Sequence, residues 1–372
     1  IAILASEGAP YAKSCGLGDV MEALPAALSR IPGNQVMLIL PYYKKIKENP
    51  AYTVELETEL EVQLGWRKQY AGVMRLTNRT DNVQVYFIDN EYYFGAREGA
   101  IYGQGDDGER FAFFSKACLD AMSALGMIPD VIQCNDWQCG MVPGYLKALY
   151  RPLYPNTKCM YTIHNIEYQG WADAWFFDDV LQLPWEYRSC LDMNGAVNVM
   201  KGAIETCDMV TTVSETYARE LMYPYYAHGL DSVIAGNAWK LTGITNGIDV
   251  HTFNPETDPA LPAHYNAETF PDGKSKCKAA LQGKCADGHC GHRRSPVREL
   301  LPGSGSGVPR SGQRQDHLRS GSGIPDVCRR RYLHDALQVR ALRSEPDERH
   351  ALRHGARGPC HRRSEGHRSR CG

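Results

Sequence analysis

The sequence has no run of about 18 apolar residues, which excludes a helix long enough to cross a bilayer. It also shows no basic segment followed by an apolar stretch and a small-residue cleavage site, the pattern of a secretory leader. The 372 residues carry a net charge of only −2, so neither sign dominates the chain as a whole. We therefore expect a cytoplasmic protein without a membrane segment. Because residue 1 is Ile and not Met, we also expect residues to precede it.

Aromatic side chains are almost missing from the last 90 residues, where Tyr332 stands alone. Residues 283–372 contain 18 Arg and one Lys against nine acids, which gives this segment a charge of +10 and residues 1–282 a charge of −12. Such a segment cannot bury enough apolar surface to offset the ordering of its backbone, so we expect a disordered tail. The predicted organisation is a folded domain of residues 1–272, a linker of residues 273–282 and this tail.

Cysteine pairing patterns are also lacking. Eight of the 13 Cys lie in residues 1–282, mostly in apolar surroundings, and buried free thiols suit a reducing compartment. Cys285 and Cys290, with His289 and His292 nearby, match no common zinc spacing, so we expect no metal site.

The first motif is a glycine loop, residues 13–19, between a short apolar run and a segment with helical spacing of apolar residues. Gly16 and Gly18 allow the backbone to approach a ligand closely, and the first N–H groups of a helix attract anions. Lys13 adds a positive charge, so the loop is typical of phosphate binding, although an ordinary βαβ unit has the same pattern. The predicted buried stripe of the helix is Val20, Ala23, Leu24, Ala27 and Leu28.

Residues 35–40 predict a second buried strand, and with the first strand and helix they form a βαβ unit with parallel strands. Residues 53–88 alternate in polarity, as half-exposed strands do, and predict a hairpin excursion of the kind that often begins ligand-facing loops.

Polar residues follow four later predicted strands at the point where each strand ends. Because open α/β sheets bind ligands at the carboxyl ends of their strands, four such clusters predict a crevice. The clusters begin at Asn135-Asp136, His164-Asn165, Ser214 and Asn246-Gly247.

Each of these residues also has a purely structural explanation. Asp136 can cap the next helix, His164 can be a hydrogen-bonded histidine at a strand end, and Asn246 can belong to a simple turn. The aromatic and acidic loop of residues 89–103 suits sugar recognition, but its rings can equally anchor the loop on the core.

Taken together, residues 1–282 closely resemble bacterial glycogen synthases, the ADP-glucose-using relatives of plant starch synthases. The resemblance covers about three quarters of the chain. It rests on SEGAPYAKSCGLGD (residues 6–19), GDDGERFAFF (105–114), DVIQCNDWQCGMVP (130–143), YTIHNIEYQG (161–170), MVTTVSETYAR (209–219), GLD (229–231) and TNGIDVHTFNPETDP (245–259).

The resemblance implies an α/β fold with a Rossmann-like, doubly wound parallel sheet, the first domain of a glycosyltransferase-B fold. In that fold a second domain holds most of the nucleotide sugar across a cleft. The implied reaction is retaining transfer of glucose from ADP-glucose to the non-reducing end of an α-1,4-glucan such as glycogen. It involves no metal or cofactor, no nucleic acid and no membrane.

The resemblance also implies roles for individual residues. His164, Asp136 and Asn246 would be catalytic, with Asn165 and Gln169 binding substrate beside them. The phosphates of the donor would meet the loop of Lys13, Gly16, Gly18 and Asp19, while Tyr92 and Tyr93 would face the acceptor. The family usually has Thr-Gly-Gly after the lysine, whereas this chain has Ser14-Cys15-Gly16. A left-handed backbone at Cys15 would cost roughly 1 kcal/mol or more, because cysteine has a Cβ atom.

The family's second domain is missing from residues 283–372. One valid set of codons for residues 339–351, read two nucleotides later, encodes FEPCGLNQMSAM, which resembles the donor motif of that domain. We therefore hypothesise that the chain is read out of frame from about residue 282, and we expect it to be inactive as written; Glu345 is not the donor-motif glutamate. The alternatives are a non-catalytic glucan-binding remnant and a nucleic-acid-binding basic tail.

Overall fold

The computed structural model describes residues 1–250 and 252–286, without the side chains of residues 283–286. The frameshift hypothesis and the expected disorder of the tail concern residues that lie outside this range from residue 287 on, whereas residues 283–286 of the predicted tail are helical. The chain divides into two compact units, one of residues 1–254 and one that starts at Pro255. The first unit ends before the predicted boundary at residue 272, and the predicted linker is helical.

The strands, in chain order, are β1 (Ala2–Leu4), β2 (Val36–Pro41), β3 (Val54–Leu64), β4 (Arg67–Leu76), β5 (Val83–Asp89), β6 (Val131–Asn135), β7 (Lys158–Ile163), β8 (Trp171–Ala172), β9 (Asp192–Met193), β10 (Ala196–Asn198), β11 (Met209–Thr212) and β12 (Leu241–Gly243). Among the described residues, nine of them form a sheet in the order β12-β11-β7-β6-β1-β2-β5-β4-β3, and β8-β10-β9 form a small second sheet.

The main sheet is parallel from β12 to β5. Strands β1 and β2 are buried along their whole length, which explains why they read as unbroken apolar runs. The chain adds β2 and β5 on one side of β1 and later adds β6, β7, β11 and β12 on the other. The direction of winding therefore reverses between β1 and β6, which confirms the predicted doubly wound fold.

The alternating residues 53–88 form the outer edge of the main sheet. Strand β3 pairs antiparallel with β4, and β4 pairs antiparallel with β5, which itself lies parallel to β2. The predicted hairpin is confirmed by β3 and β4, but it extends the sheet on the side of β1 away from β6 and does not lead towards the predicted crevice.

The helices are α1 (Gly16–Ser29), α2 (Lys44–Lys47), α3 (Asp107–Ala124), α4 (Met141–Tyr145), α5 (Arg188–Leu191), α6 (Val199–Thr206), α7 (Glu215–Glu220), α8 (Pro224–Ala227), α9 (Asp231–Gly236) and α10 (Phe270–Ala286). Residues 91–95, 146–150 and 177–181 form single π-helical turns. None of these helices, within the described range, is long and apolar enough to cross a membrane.

Helix α1 buries a different stripe from the predicted one. Its buried side chains are Leu17, Met21 and Pro25, spaced four residues apart, whereas Ala27 is exposed and Val20 lies at the border of the buried face. The helix begins at Gly16. Its first turn is anchored by a hydrogen bond from the Gly18 N–H to the Glu7 carboxylate, which helical periodicity does not encode. Helix α7 agrees with its prediction, because the Ser214 side chain accepts a hydrogen bond from the Tyr217 N–H at 2.9 Å.

Candidate active site

The predicted polar clusters meet at one edge of the main sheet. Parallel strands β6, β7, β11 and β12 are neighbours there, and β1 lies on the other side of β6. Their carboxyl ends carry Asp136, His164-Asn165, Ser214, Asn246 and the loop of residues 13–19. Asp136 and the loop of residues 13–19 lie at the reversal point between β6 and β1, where sheets of this kind bind ligands, and the clusters after β7, β11 and β12 follow along the same edge.

Asp136 has a strained backbone, with φ 55° and ψ −178°. This conformation suits glycine and costs other residues about 1–3 kcal/mol, and such strain clusters at functional sites. The Asp136 Oδ1 atom accepts the N–H groups of His164 at 2.8 Å and Asn165 at 3.3 Å. Its side chain does not cap the helical turn that follows it, so the capping explanation is wrong for that turn. It holds the turn after β7 instead.

Burial shifts the pKa values of Asp136 and His164 in opposite directions. It raises the pKa of Asp136, although the neighbouring imidazole of His164 and the two N–H groups work against this shift. It lowers the pKa of His164, although the carboxylates of Asp136 and Glu7 work against it. His164 is therefore neutral near pH 7, and its Nε2 atom lies 2.9 Å from Oδ1 of Asn135.

Glu7 is a residue of the site that the sequence did not single out. Its carboxylate is fully buried and accepts the N–H groups of Ser14 at 2.7 Å and of Cys15 and Gly18 at 3.1 Å. These N–H groups were expected to meet a phosphate, and the structure corrects that expectation because an internal anion already occupies them. Gly16 remains open: a Cβ atom built there would meet none of the described atoms within 4 Å.

Cys15 adopts an extended backbone with φ −143° and ψ −163°, so the expected cost of a left-handed cysteine does not arise. Cys15 is exposed as a residue, but partial desolvation of its thiol and the neighbouring Glu7 carboxylate raise the pKa of this thiol to about 12. Lys13 forms an ion pair with Asp19. Gly18 makes room for the lysine stem, since a Cβ atom at Gly18 would lie 2.8 Å from Cγ of Lys13.

The remaining predicted residues divide into exposed and buried ones. Asn246 and Asn165 are exposed at the ends of their strands. Tyr92 is 66% exposed, with the Arg97 guanidinium 5.2 Å above its ring. Tyr93 is fully buried, and its hydroxyl bonds to Glu109. The expectation that Tyr93 faces the acceptor is therefore corrected: its ring belongs to the core, as the structural explanation of this loop has it.

Gln169 is buried and its amide has three protein partners. The Nε2 atom donates to the carbonyl oxygens of Ile166 at 3.1 Å and His228 at 3.0 Å, and Oε1 accepts from Asn198 Nδ2 at 2.7 Å. This side chain shapes the turn after β7 and also lines the cavity beside that turn, so its contact with substrate stays a prediction.

A cavity of about 340 Å³ lies beside this turn. Trp137, Tyr168 and Trp171 supply aromatic walls, and Asp107 and Glu167 supply carboxylates. Aromatic faces with polar groups at the edges suit the apolar faces and hydroxyl edges of sugar rings. The described residues contain no group of three or more His, Cys, Asp or Glu side chains arranged to hold a metal ion.

Together, the doubly wound sheet and the polar crevice at its reversal point define a Rossmann-like domain of the glycosyltransferase-B class. Residues 1–236 match the starch synthase catalytic domain family, and the chain belongs to that family.

The chain is 43% identical over 284 residues to a glycogen synthase of Exiguobacterium sibiricum, covering 75% of this chain and 58% of that protein. It is 44% identical over 286 residues to a glycogen synthase of Streptococcus agalactiae serotype III, covering 76% and 59%. Among solved structures it is similar to the catalytic domain of starch synthase IV from Arabidopsis thaliana bound to ADP and acarbose. That match has a TM-score of 0.67 and 34% identity, and covers 76% of this chain and 58% of that one. The chain thus spans somewhat more than half the length of its relatives.

Proposed function

We propose that this chain supplies the acceptor-side domain of a glycogen synthase. The reaction is retaining transfer of glucose from ADP-glucose to the non-reducing end of an α-1,4-glucan. The observation that carries the proposal is the strained Asp136 holding the backbone of His164 at the reversal point of the sheet, in a member of the starch synthase family. The ligands in the Arabidopsis structure, ADP and acarbose, support a nucleotide donor and a glucan acceptor.

The chemistry asks for polar groups around a sugar ring and a cation near the departing diphosphate, because glucosyl transfer passes through an oxocarbenium-like state. His164 and Asp136 are our candidates beside the ring, with the exposed amides of Asn165 and Asn246 around it. Lys13 is our candidate for the phosphates, beside the open side of Gly16. The proposal includes no metal and no cofactor other than the donor.

We assign the acceptor glucan to the exposed ring of Tyr92 and to the aromatic cavity of Trp137, Tyr168 and Trp171. We place the reaction in the cytoplasm, because the eight cysteines of residues 1–282 are free in the structure and suit a reducing compartment.

We further propose that the 372-residue chain is inactive as written. If the chain is read out of frame from about residue 282, other amino acids stand in place of the donor-site residues of the second domain. Determination of the DNA sequence around this codon tests the hypothesis directly, and one uninterrupted frame that encodes these same residues would contradict it.

Transfer of labelled glucose from ADP-glucose to glycogen tests the function. We expect the 372-residue chain to give no transfer and a chain with the restored frame to give clear transfer. A His164→Ala change in the restored chain should abolish most of it. Transfer by the 372-residue chain would contradict the proposed inactivity. A restored chain that co-sediments with glycogen but transfers nothing would replace the synthase with a glucan-binding protein.

A further inference from the structure

Asn135 comes immediately before Asp136 and also reaches the turn after β7. It is the last residue of β6, which lies between β1 and β7, and its side chain is fully buried. Asp136 holds the backbone of His164, whereas Asn135 contacts the imidazole ring itself, with 2.9 Å between Oδ1 and Nε2. Two consecutive residues, Asn135 and Asp136, thus form hydrogen bonds to the same histidine, one to its ring and one to its backbone.

The orientation of the Asn135 amide follows from its partner on β1. Its Nδ2 atom donates to the carbonyl oxygen of Leu4 at 2.9 Å, and a carbonyl oxygen can only accept. The Nε2 atom of Gln133 lies 3.3 Å from Oδ1 of Asn135 and 3.2 Å from Oγ1 of Thr162. A flipped Asn135 amide would place two oxygens together at Leu4 and two NH2 groups together at Gln133. The described geometry is therefore the one in which every contact pairs a donor with an acceptor.

This orientation dictates where His164 carries its hydrogen. The Asn135 atom that faces the ring is an oxygen without a hydrogen, so the Nε2 atom of His164 must be the donor. A neutral imidazole has a single N–H group, which leaves Nδ1 as an acceptor. We propose that Asn135 is a positioning residue that fixes His164 in the Nε2–H tautomer and so presents Nδ1 as an acceptor for a hydroxyl group of the substrate.

The inference deepens the proposed function, since the hydroxyl-bearing substrate is the sugar assigned to this crevice. It names the acceptor atom and the residue that prepares it. The tautomer itself can be measured without any catalytic turnover, so the two proposals can fail separately.

The test uses the full 372-residue chain labelled with ¹⁵N-histidine, and long-range ¹H–¹⁵N correlation spectra at pH 7.5. The His164 signals are identified by their loss in His164→Gln. In the unmodified chain we expect one tautomer, with a protonated-type Nε2 and an unprotonated-type Nδ1 resonance. A protonated-type Nδ1, or resonances averaged between the two tautomers, would overturn the proposal without any variant.

Asn135→Leu removes the acceptor and leaves an apolar group against Nε2. We expect the hydrogen to move towards Nδ1, because an N–H group at Nε2 would then face an apolar side chain without an acceptor, so that the two ¹⁵N shifts approach or exchange their values. Asn135→Asp restores an oxygen acceptor and should restore the Nε2–H pattern. Gln133→Leu is the matched control, because it removes a buried amide of the same strand that has no bond to His164. The carbonyl oxygen of Leu4 still orients the Asn135 amide in this variant, so the pattern should stay unchanged.

An Asn135→Leu spectrum identical to that of Gln133→Leu would overturn the positioning role. If the tautomer responds as expected while the restored-frame chain transfers no glucose, the proposed function fails and the positioning role stands. If glucose is transferred and the tautomer does not respond, the reverse holds.

Discussion

Glu7 holds the first turn of α1, and replacing its carboxylate with an amide will destabilise residues 1–254. Oε2 accepts from the N–H and the hydroxyl of Ser14, and Oε1 accepts from the N–H groups of Cys15 and Gly18 and from the Cys15 thiol. Glutamine is nearly the same shape but has a single acceptor oxygen. In Glu7→Gln, one of these two groups of donors must therefore face an NH2 group.

The size of the effect follows from which donors lose their partner. The Gly18 N–H is buried and cannot turn to water, so we expect the remaining oxygen to stay on the side of Cys15 and Gly18. The two Ser14 donors then lose a charged acceptor, although Ser14 is exposed and water replaces part of the loss. With hydrogen bonds to charged groups contributing about 1.5–3 kcal/mol each, we expect unfolding free energy to fall by about 2–4 kcal/mol.

Urea unfolding followed by tryptophan fluorescence measures this loss. The six tryptophans all lie between residues 66 and 239, so the signal reports the first unit alone. With a slope of about 3 kcal/mol per molar urea, the midpoint should fall by roughly 1 M. The control is Glu55→Gln on the edge strand β3, where the side chain is exposed. Equal midpoints for the two variants would refute the capping role of Glu7.

Three further predictions use the same unfolding assay. Gly170→Ala should lower stability by more than about 1 kcal/mol, since φ is +70° and the new Cβ would lie 2.4 Å from Trp137 Cε3. The control is Gly236→Ala, where the new Cβ would meet open space, and equal urea midpoints for the two variants would contradict the prediction. Burial lowers the pKa of His164, so on acidification the unfolded state binds a proton at this residue before the folded state does, and stability should decline as pH falls below about 6.5. His164→Gln should reduce this decline. An unchanged pH dependence of stability in that variant would argue against a buried neutral ring. Tyr93→Ala should cost about 3–5 kcal/mol because it leaves a cavity in the core. Tyr92→Ala should change stability by no more than about 0.5 kcal/mol, and similar losses for both tyrosines would show that their burial is misassigned.

Local sequence patterns determined the elements of the parallel sheet and the chemistry at its edge. Unbroken apolar runs predicted β1 and β2, because strands covered on both faces have no polar side. Polar residues directly after β6, β7, β11 and β12 predicted a crevice, because parallel strands end at the same edge. The Ser214 cap was also predictable, since an N-cap bond spans only three residues. Each of these signals lies within a few positions of the residue that it concerns.

The tertiary structure alone decided which partner each polar side chain has. Glu7 reaches donors up to 11 residues away, and Asn135 joins Leu4 to His164 across neighbouring strands, and neither contact leaves a periodic trace in the sequence. The same holds for the adjacent Tyr92 and Tyr93, of which one is exposed and the other fully buried. Periodicity encodes the face of an element that is buried, but the donor or acceptor opposite a given atom depends on how distant segments are brought together. For this protein, the sequence determined the crevice and its residue types, and the folded chain decided which atoms remain open to a substrate.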